Sequence, residues 1–196
     1  MQAGGVRLVV GLGNPGSRYA GTRHNVGFRA VDRFVEEAEG GWSAAPLGKG
    51  LAAKVRLAAG RSLWAAKPHT FMNVSGSMVA PLARYFKIEG GEVLVVSDDF
   101  ELPLGRIRIR VRGSCGGQKG LESILSCFGT LEVPRLRLGV GPRPPQVPGA
   151  DFVLGRFRAE EAEPLDEMLK RASAAIRVVC EEGLEAAMNA YNHRIE

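Results

Sequence analysis

The chain has 196 residues, 45% hydrophobic and 24% charged, which suits one globular domain whose folding hides roughly 70% of the unfolded surface without disulfides or a structural metal. A net charge of +5 suits an anionic partner without naming one; no run approaches the roughly 18 apolar residues of a membrane span, and the start, MQAGGVRLVVGLG, has no cleavage-like segment, so a cytoplasmic protein is expected. Cys115, Cys127 and Cys180 form no CxxC pair and His24, His69 and His193 show no HxxxH spacing, which speaks against a disulfide framework and a zinc site.

The 26 glycines and 11 prolines point to a loop-rich α/β chain. Arg7 to Leu12 reads as a buried strand that breaks into the turn Gly13-Asn14-Pro15-Gly16. From Val26, the spacing of Phe28, Val31, Phe34 and Val35 predicts a helix that Gly40-Gly41 stops. Leu51 to Ala59 and Arg61 to Ala66 flank Gly60 as a strand pair. Met78, Val79, Leu82, Tyr85 and Phe86 form a helical stripe between Ser75 and Ile88, with Pro81 expected to bend or delay it. Glu92 to Ser97 is an apolar strand ending in Ser97-Asp98-Asp99. Between Gly105 and Gly113, period two puts Arg106, Arg108, Arg110 and Arg112 on one face. Leu121, Ile124, Leu125 and Phe128 mark a helix after Gly113-Ser114-Cys115-Gly116-Gly117, Arg135 to Val140 a strand, and Gly141 to Gly149 a Pro-rich loop. Glu160, Glu161 and Glu163 open a helix whose buried stripe runs from Leu165 to Val179, and Gly183 separates it from a last short helix. With no repeat or long linker, the expected fold is a single α/β domain, residues 1–196, with a twisted mixed β-sheet flanked by helices.

Several constellations carry chemistry. Gly11-Leu12-Gly13-Asn14-Pro15-Gly16 satisfies GxGxxG, yet no helix opens at once and Asp32 lies inside a helical pattern, so a nucleotide-dependent enzyme is the weaker reading. His24 sits among Thr22, Arg23 and Asn25, where a neutral imidazole can take a proton from water; the alternative is a loop histidine that caps the Val26 helix. Asp98, at the end of an apolar strand, is placed to orient that imidazole. Asn14, Asn25 and Asn73 offer amides for a peptide-like substrate, although Asn14 before Pro15 is also good turn chemistry. The ladder of Arg106, Arg108, Arg110 and Arg112 with Arg137 is an anion-binding candidate or else a solvated strand face. Cys115 has no activating partner, and Asp98, Asp99 and Glu101 form one strand-end cluster without a Walker-type loop, so neither a thiol nucleophile nor magnesium is expected.

In order and spacing, GLGNPGSRYAGTRHNVGF, KPHTFMNVSG, VVSDDFELPLG, GSCGGQKGL, RLRLGVG and DFVLGRF resemble the bacterial-type peptidyl-tRNA hydrolase family over nearly the whole chain. The resemblance implies a peptidyl-tRNA hydrolase-like fold and an esterase that cuts the bond between peptide and tRNA, recycling peptidyl-tRNA released from ribosomes, with no metal or cofactor and no membrane. It implies His24 as catalytic base with Asp98 as its acidic partner. Asn14 and Asn73 would hold the peptide and position water, Tyr19, Phe71 and Met72 line the pocket, and Arg110 and Arg137 grip the tRNA 5′-phosphate. Where the family usually has His-Asn, this chain has Gln118-Lys119. Lys119 is therefore expected to contact tRNA rather than to act in catalysis, and Gln118 is a possible source of the missing amide. A monomer suffices. The alternative is a non-catalytic RNA-binding relative of the same fold.

Overall fold

The computed structural model describes residues 5–193; the expectation about a cleavage-like segment falls partly on residues 1–4, outside the described part. The elements run β1 (Leu8–Gly11), α1 (Val26–Glu37), β2 (Ser43–Ala44), β3 (Gly50–Arg56), β4 (Ser62–Pro68), α2 (Gly76–Tyr85), β5 (Val93–Pro103), β6 (Ile107–Arg110), α3 (Lys119–Phe128), β7 (Arg135–Gly141), α4 (Gly149–Leu154), α5 (Ala162–Glu181) and α6 (Leu184–Tyr191). One seven-stranded sheet has the order β2-β3-β4-β1-β5-β7-β6. β1, β4, β5 and β7 are parallel; β3 and β2 join antiparallel on one side and β6 on the other.

Period two divides the central strands between two helical layers. Val9, Leu94 and Val96 pack with Val31 and Phe34 of α1 and with Met168 and Ile176 of α5. Leu8, Val10, Val93 and Val95 pack with Val79 and Leu82 of α2 and with Leu121 and Ile124 of α3. Both faces of the parallel strands are therefore covered, which is why they read as continuous apolar runs. Pro81 does not end α2: its missing N–H forfeits one backbone bond, while the buried Met78, Val79 and Leu82 hold the helix to the sheet.

Two strands differ from expectation. β5 does not stop at Ser97 but runs on to Pro103, because β7 pairs beside its acidic residues, Asp98 with Leu138 and Asp99 with Gly139, before the register shifts. Asp98 thus lies inside a strand, though two residues beyond Val96, the last partner of β1. β6 covers only Ile107–Arg110, leaving Arg106 and Arg112 outside the ladder. Asn192 docks on this edge strand, its Oδ1 accepting from Ile109 N–H (2.7 Å) and its Nδ2 donating to Ile109 O (3.1 Å). The two-residue β2 and six-residue α4 have too short a pattern to be seen in sequence.

Candidate active site

The site begins where β1 ends. Leu12 N–H donates to Val96 O (2.9 Å) and Phe28 N–H to Leu12 O (3.1 Å), tying the first turn of α1 to the end of β1 and to Val96 within β5. Gly27 makes this approach possible, since a Cβ there would overlap Val96 O and the Leu12 backbone. The short helical turn Arg23–Asn25, just before α1, is thereby set over Asp98.

His24 Nδ1–H donates to Asp98 Oδ2 (2.9 Å) and Oδ1 (3.0 Å). A carboxylate only accepts, so the hydrogen belongs on Nδ1, and in the neutral ring the lone pair is then on Nε2. The Asp98 side chain is 3% exposed and that of His24 13%, and both border a cavity of about 620 Å³. His24 does not cap α1; the N-cap residue is Asn25, and its side chain exchanges 2.9 Å hydrogen bonds with the backbone of Asn14.

The residue before His24 anchors the turn. Arg23 lies between the rings of Phe152 and Phe157, 4.8 Å from each centroid, and its Nη2 donates to Glu161 Oε1 (2.8 Å) and Oε2 (2.7 Å). Nη1 donates to Arg156 O and the Arg23 backbone N–H to Gly155 O (3.0 Å). Burial alone would raise the Glu161 carboxyl, but the Arg158 N–H and the Arg23 guanidinium hold it below the usual carboxylate range. Nothing local marks Arg23 as buried; its hydrogen-bond partners lie more than 130 residues on.

The expected peptide-holding residues divide. Asn14 Oδ1 accepts from Met72 N–H (2.8 Å), which fixes the turn Met72–Val74 against the loop after β1, and both residues are buried. Phe71, 60% exposed, and Asn73, also exposed, flank Met72 on that turn. Tyr19 is half-buried under the Arg18 guanidinium, 4.4 Å from its ring. None of these five borders the His24 cavity. Gln118 does: its Nε2 donates to Asp98 Oδ1 (3.0 Å) and its Oε1 accepts from Leu121 N–H (2.8 Å). Lys119 borders the cavity but is exposed, and its Nζ donates to Glu122 Oε2 (3.0 Å), which raises the lysine's affinity for its proton.

The cavity continues along the loop from Gly113 to Gln118 to Arg110, Arg112, Arg135 and Arg137. Arg135 is structural, its Nη1 donating to Gly113 O (2.9 Å) and Ser114 O (3.0 Å) and so holding that loop. The ladder is neither uniform nor free of acid. Arg137 Nε pairs with Asp99, Arg112 pairs with Glu132, and Arg106 borders a different cavity beside Arg171 and His193. Positive charge nevertheless remains in excess: Arg108 stands opposite Arg137, and burial followed by Arg110, Arg137 and Arg106 lowers its proton affinity. Among the described residues no group of three His, Cys, Asp or Glu side chains is arranged to hold a metal ion.

A carboxylate-oriented imidazole that shares a cavity with arginines is an arrangement able to hydrolyse an ester attached to a phosphate-bearing molecule. The family model described as peptidyl-tRNA hydrolase matches residues 8–196. The peptidyl-tRNA hydrolase of Chloroflexus aggregans is 45% identical over 190 residues, covering 94% of this chain and 98% of the relative. That of Elusimicrobium minutum is 44% identical over 188 residues, covering 95% and 99%. A crystal structure of peptidyl-tRNA hydrolase from Acinetobacter baumannii matches with a TM-score of 0.88 at 30% identity over 95% of each chain. On these matches of sequence and fold, the chain belongs to the peptidyl-tRNA hydrolase family.

Proposed function

We propose that His24, with its Nδ1–H held by Asp98, is the general base in the peptidyl-tRNA hydrolysis that family membership assigns to this chain. Nε2 takes a proton from water as the water oxygen attacks the ester carbonyl carbon. The tetrahedral oxyanion then collapses, the carbon–oxygen bond to the tRNA ribose breaks, and the imidazolium returns the proton to the departing ribose oxygen. Asp98 stabilises the imidazolium between these steps and keeps the ring turned. Asn14, Asn73, Tyr19, Phe71 and Met72 are assigned to the peptide side, which lies outside the cavity wall and adjoins it through Met72, whose Sδ is 3.3 Å from Gln118 Nε2. Arg110 and Arg137 are assigned to the 5′-phosphate, and Lys119 to the tRNA acceptor end.

The observation that carries this reading is the single cavity bordered both by His24 and Asp98 and by Arg110 and Arg137. A non-catalytic RNA-binding relative would have no use for a carboxylate-oriented imidazole in that cavity. No helix among the described residues is long and apolar enough to cross a membrane. We read the chain as one domain, on the support of its one sheet, and as a cytoplasmic monomer, in keeping with a tRNA substrate and with Arg110 and Arg112 standing exposed on the cavity wall. His24→Ala should lower turnover by about 10² to 10⁴ while leaving tRNA affinity and thermal stability near the parent values. Turnover within a few-fold of the parent would remove His24 from the role of base.

A further inference from the structure

We propose that Gln118 is a positioning residue for the hydrolytic pair: its side-chain amide fixes the Asp98 carboxylate and, through it, the His24 ring. The proposal rests on the His24–Asp98 reading and goes beyond it to a residue of the loop that walls the cavity.

Only one orientation of the Gln118 amide satisfies both neighbours. The Leu121 N–H, at the start of α3, is a donor and needs the oxygen (2.8 Å); Asp98 is an acceptor and needs the NH₂ group (3.0 Å). The same side chain therefore caps α3 and supplies a buried carboxylate with its second donor. Gln118 Nε2 and His24 Nδ1 both reach Asp98 Oδ1, each at 3.0 Å, while His24 also reaches Oδ2 at 2.9 Å. Two donors from different elements fix the carboxylate plane, and the plane fixes the direction of Nε2. Because the amide does not titrate, this support is the same at every working pH. The Gln118 backbone N–H donates to Cys115 O (3.1 Å), so the amide is itself held by the loop. Lys119, next in sequence, gives its ammonium to Glu122 and does not compete for Asp98.

The decisive variant separates the two duties of the side chain. Gln118→Glu keeps an oxygen for the Leu121 N–H, and an acid at a helix N-terminus is favourable, but it sets a carboxylate against Asp98. At neutral pH its kcat on peptidyl-tRNA should fall at least about tenfold, with KM within about threefold of the parent and thermal stability little changed. Its activity relative to the parent should recover toward acid pH, where the two carboxyls share a proton and a donor to Asp98 returns. A Gln118→Glu enzyme with the parent's kcat and pH profile would reduce Gln118 to a helix cap and overturn the proposal. Should that variant not fold, Gln118→Met removes the donor without adding charge, and parent-like kcat in it would overturn the proposal equally. His24→Ala, assayed beside them, keeps the two readings apart. If it is inactive while the Gln118 variants match the parent, only the Gln118 assignment fails; if it is itself active, the hydrolytic pair fails.

Discussion

The two ends of the cavity treat charge in opposite ways. At one end Asp98 is buried and receives hydrogen bonds from His24 and Gln118, and the neighbouring Arg23 is enclosed by Phe152, Phe157 and Glu161. At the other, Arg110 is exposed, and Arg137, which stands opposite Arg108 in the sheet, is paired with Asp99, which answers only part of the positive charge. A base must be held in one geometry before substrate arrives, so its partners are internal. A phosphate grip must stay incompletely paired, or it would have nothing left to offer an anion. The first region stores order and the second stores unsatisfied charge.

Variants that empty the ordered end should cost most. Arg23→Ala leaves the Glu161 carboxylate without its buried partner and should cost about 3–5 kcal/mol in a denaturant titration, with turnover falling as the His24 turn loosens. A loss under 1 kcal/mol would mean that the turn is held by its backbone bonds alone. At the charged end, Arg110→Ala and Arg137→Ala should each weaken tRNA binding and reduce the slope of log affinity against log salt by about 1; the exposed Arg110 should change stability little, whereas Arg137→Ala also leaves the buried Asp99 carboxylate without its ion pair and should lose stability. Unchanged slopes would return these arginines to a solvated face.

Acid probes the same contrast more gently. The Glu161 carboxyl is held below its ordinary value, so the stability it contributes is complete above that value of 4.5 and is lost as pH falls through the lowered one. Thermal stability of the parent should therefore drop more steeply below about pH 4.5 than that of Glu161→Gln. The smallest effect belongs to Arg108→Gln: relief of like-charge crowding should leave stability within about 0.5 kcal/mol of the parent or raise it at low salt. A clear loss would show that Arg108 is structural.

The ordered and charged ends were not equally legible in the sequence. Apolar periodicity located β1, α1, β3, β4, α2, α3, β7 and α5, and the pairing of His24 with Asp98 followed from one polar loop and one strand end. Arg23 was read only as a polar neighbour of His24, because its burial depends on chain 138 residues away in Glu161, and no local pattern encodes such a contact. The sequence offers Gln118 only as a source of the amide missing from the family's His-Asn pair; that it faces Asp98 follows from where α3 begins relative to β5. The arginine ladder was overread for a related reason. Period two holds only while the strand lasts, and β6 spans only Ile107–Arg110, so Arg106 borders a different cavity and Arg112, though beside Arg110 on the cavity wall, stands outside the strand.

The claim that one cavity joins a fixed base to a phosphate grip is tested most directly by steady-state hydrolysis of peptidyl-tRNA with and without its 5′-phosphate, by the parent and by the Arg110→Ala, Arg137→Ala double variant. Removing the phosphate should raise the parent's KM about ten- to a hundredfold, the equivalent of roughly 1.5–3 kcal/mol of charged hydrogen bonding, and leave kcat nearly unchanged. The double variant should handle the two substrates alike. If it discriminates between them as strongly as the parent, the phosphate is held elsewhere and the account of the cavity is wrong.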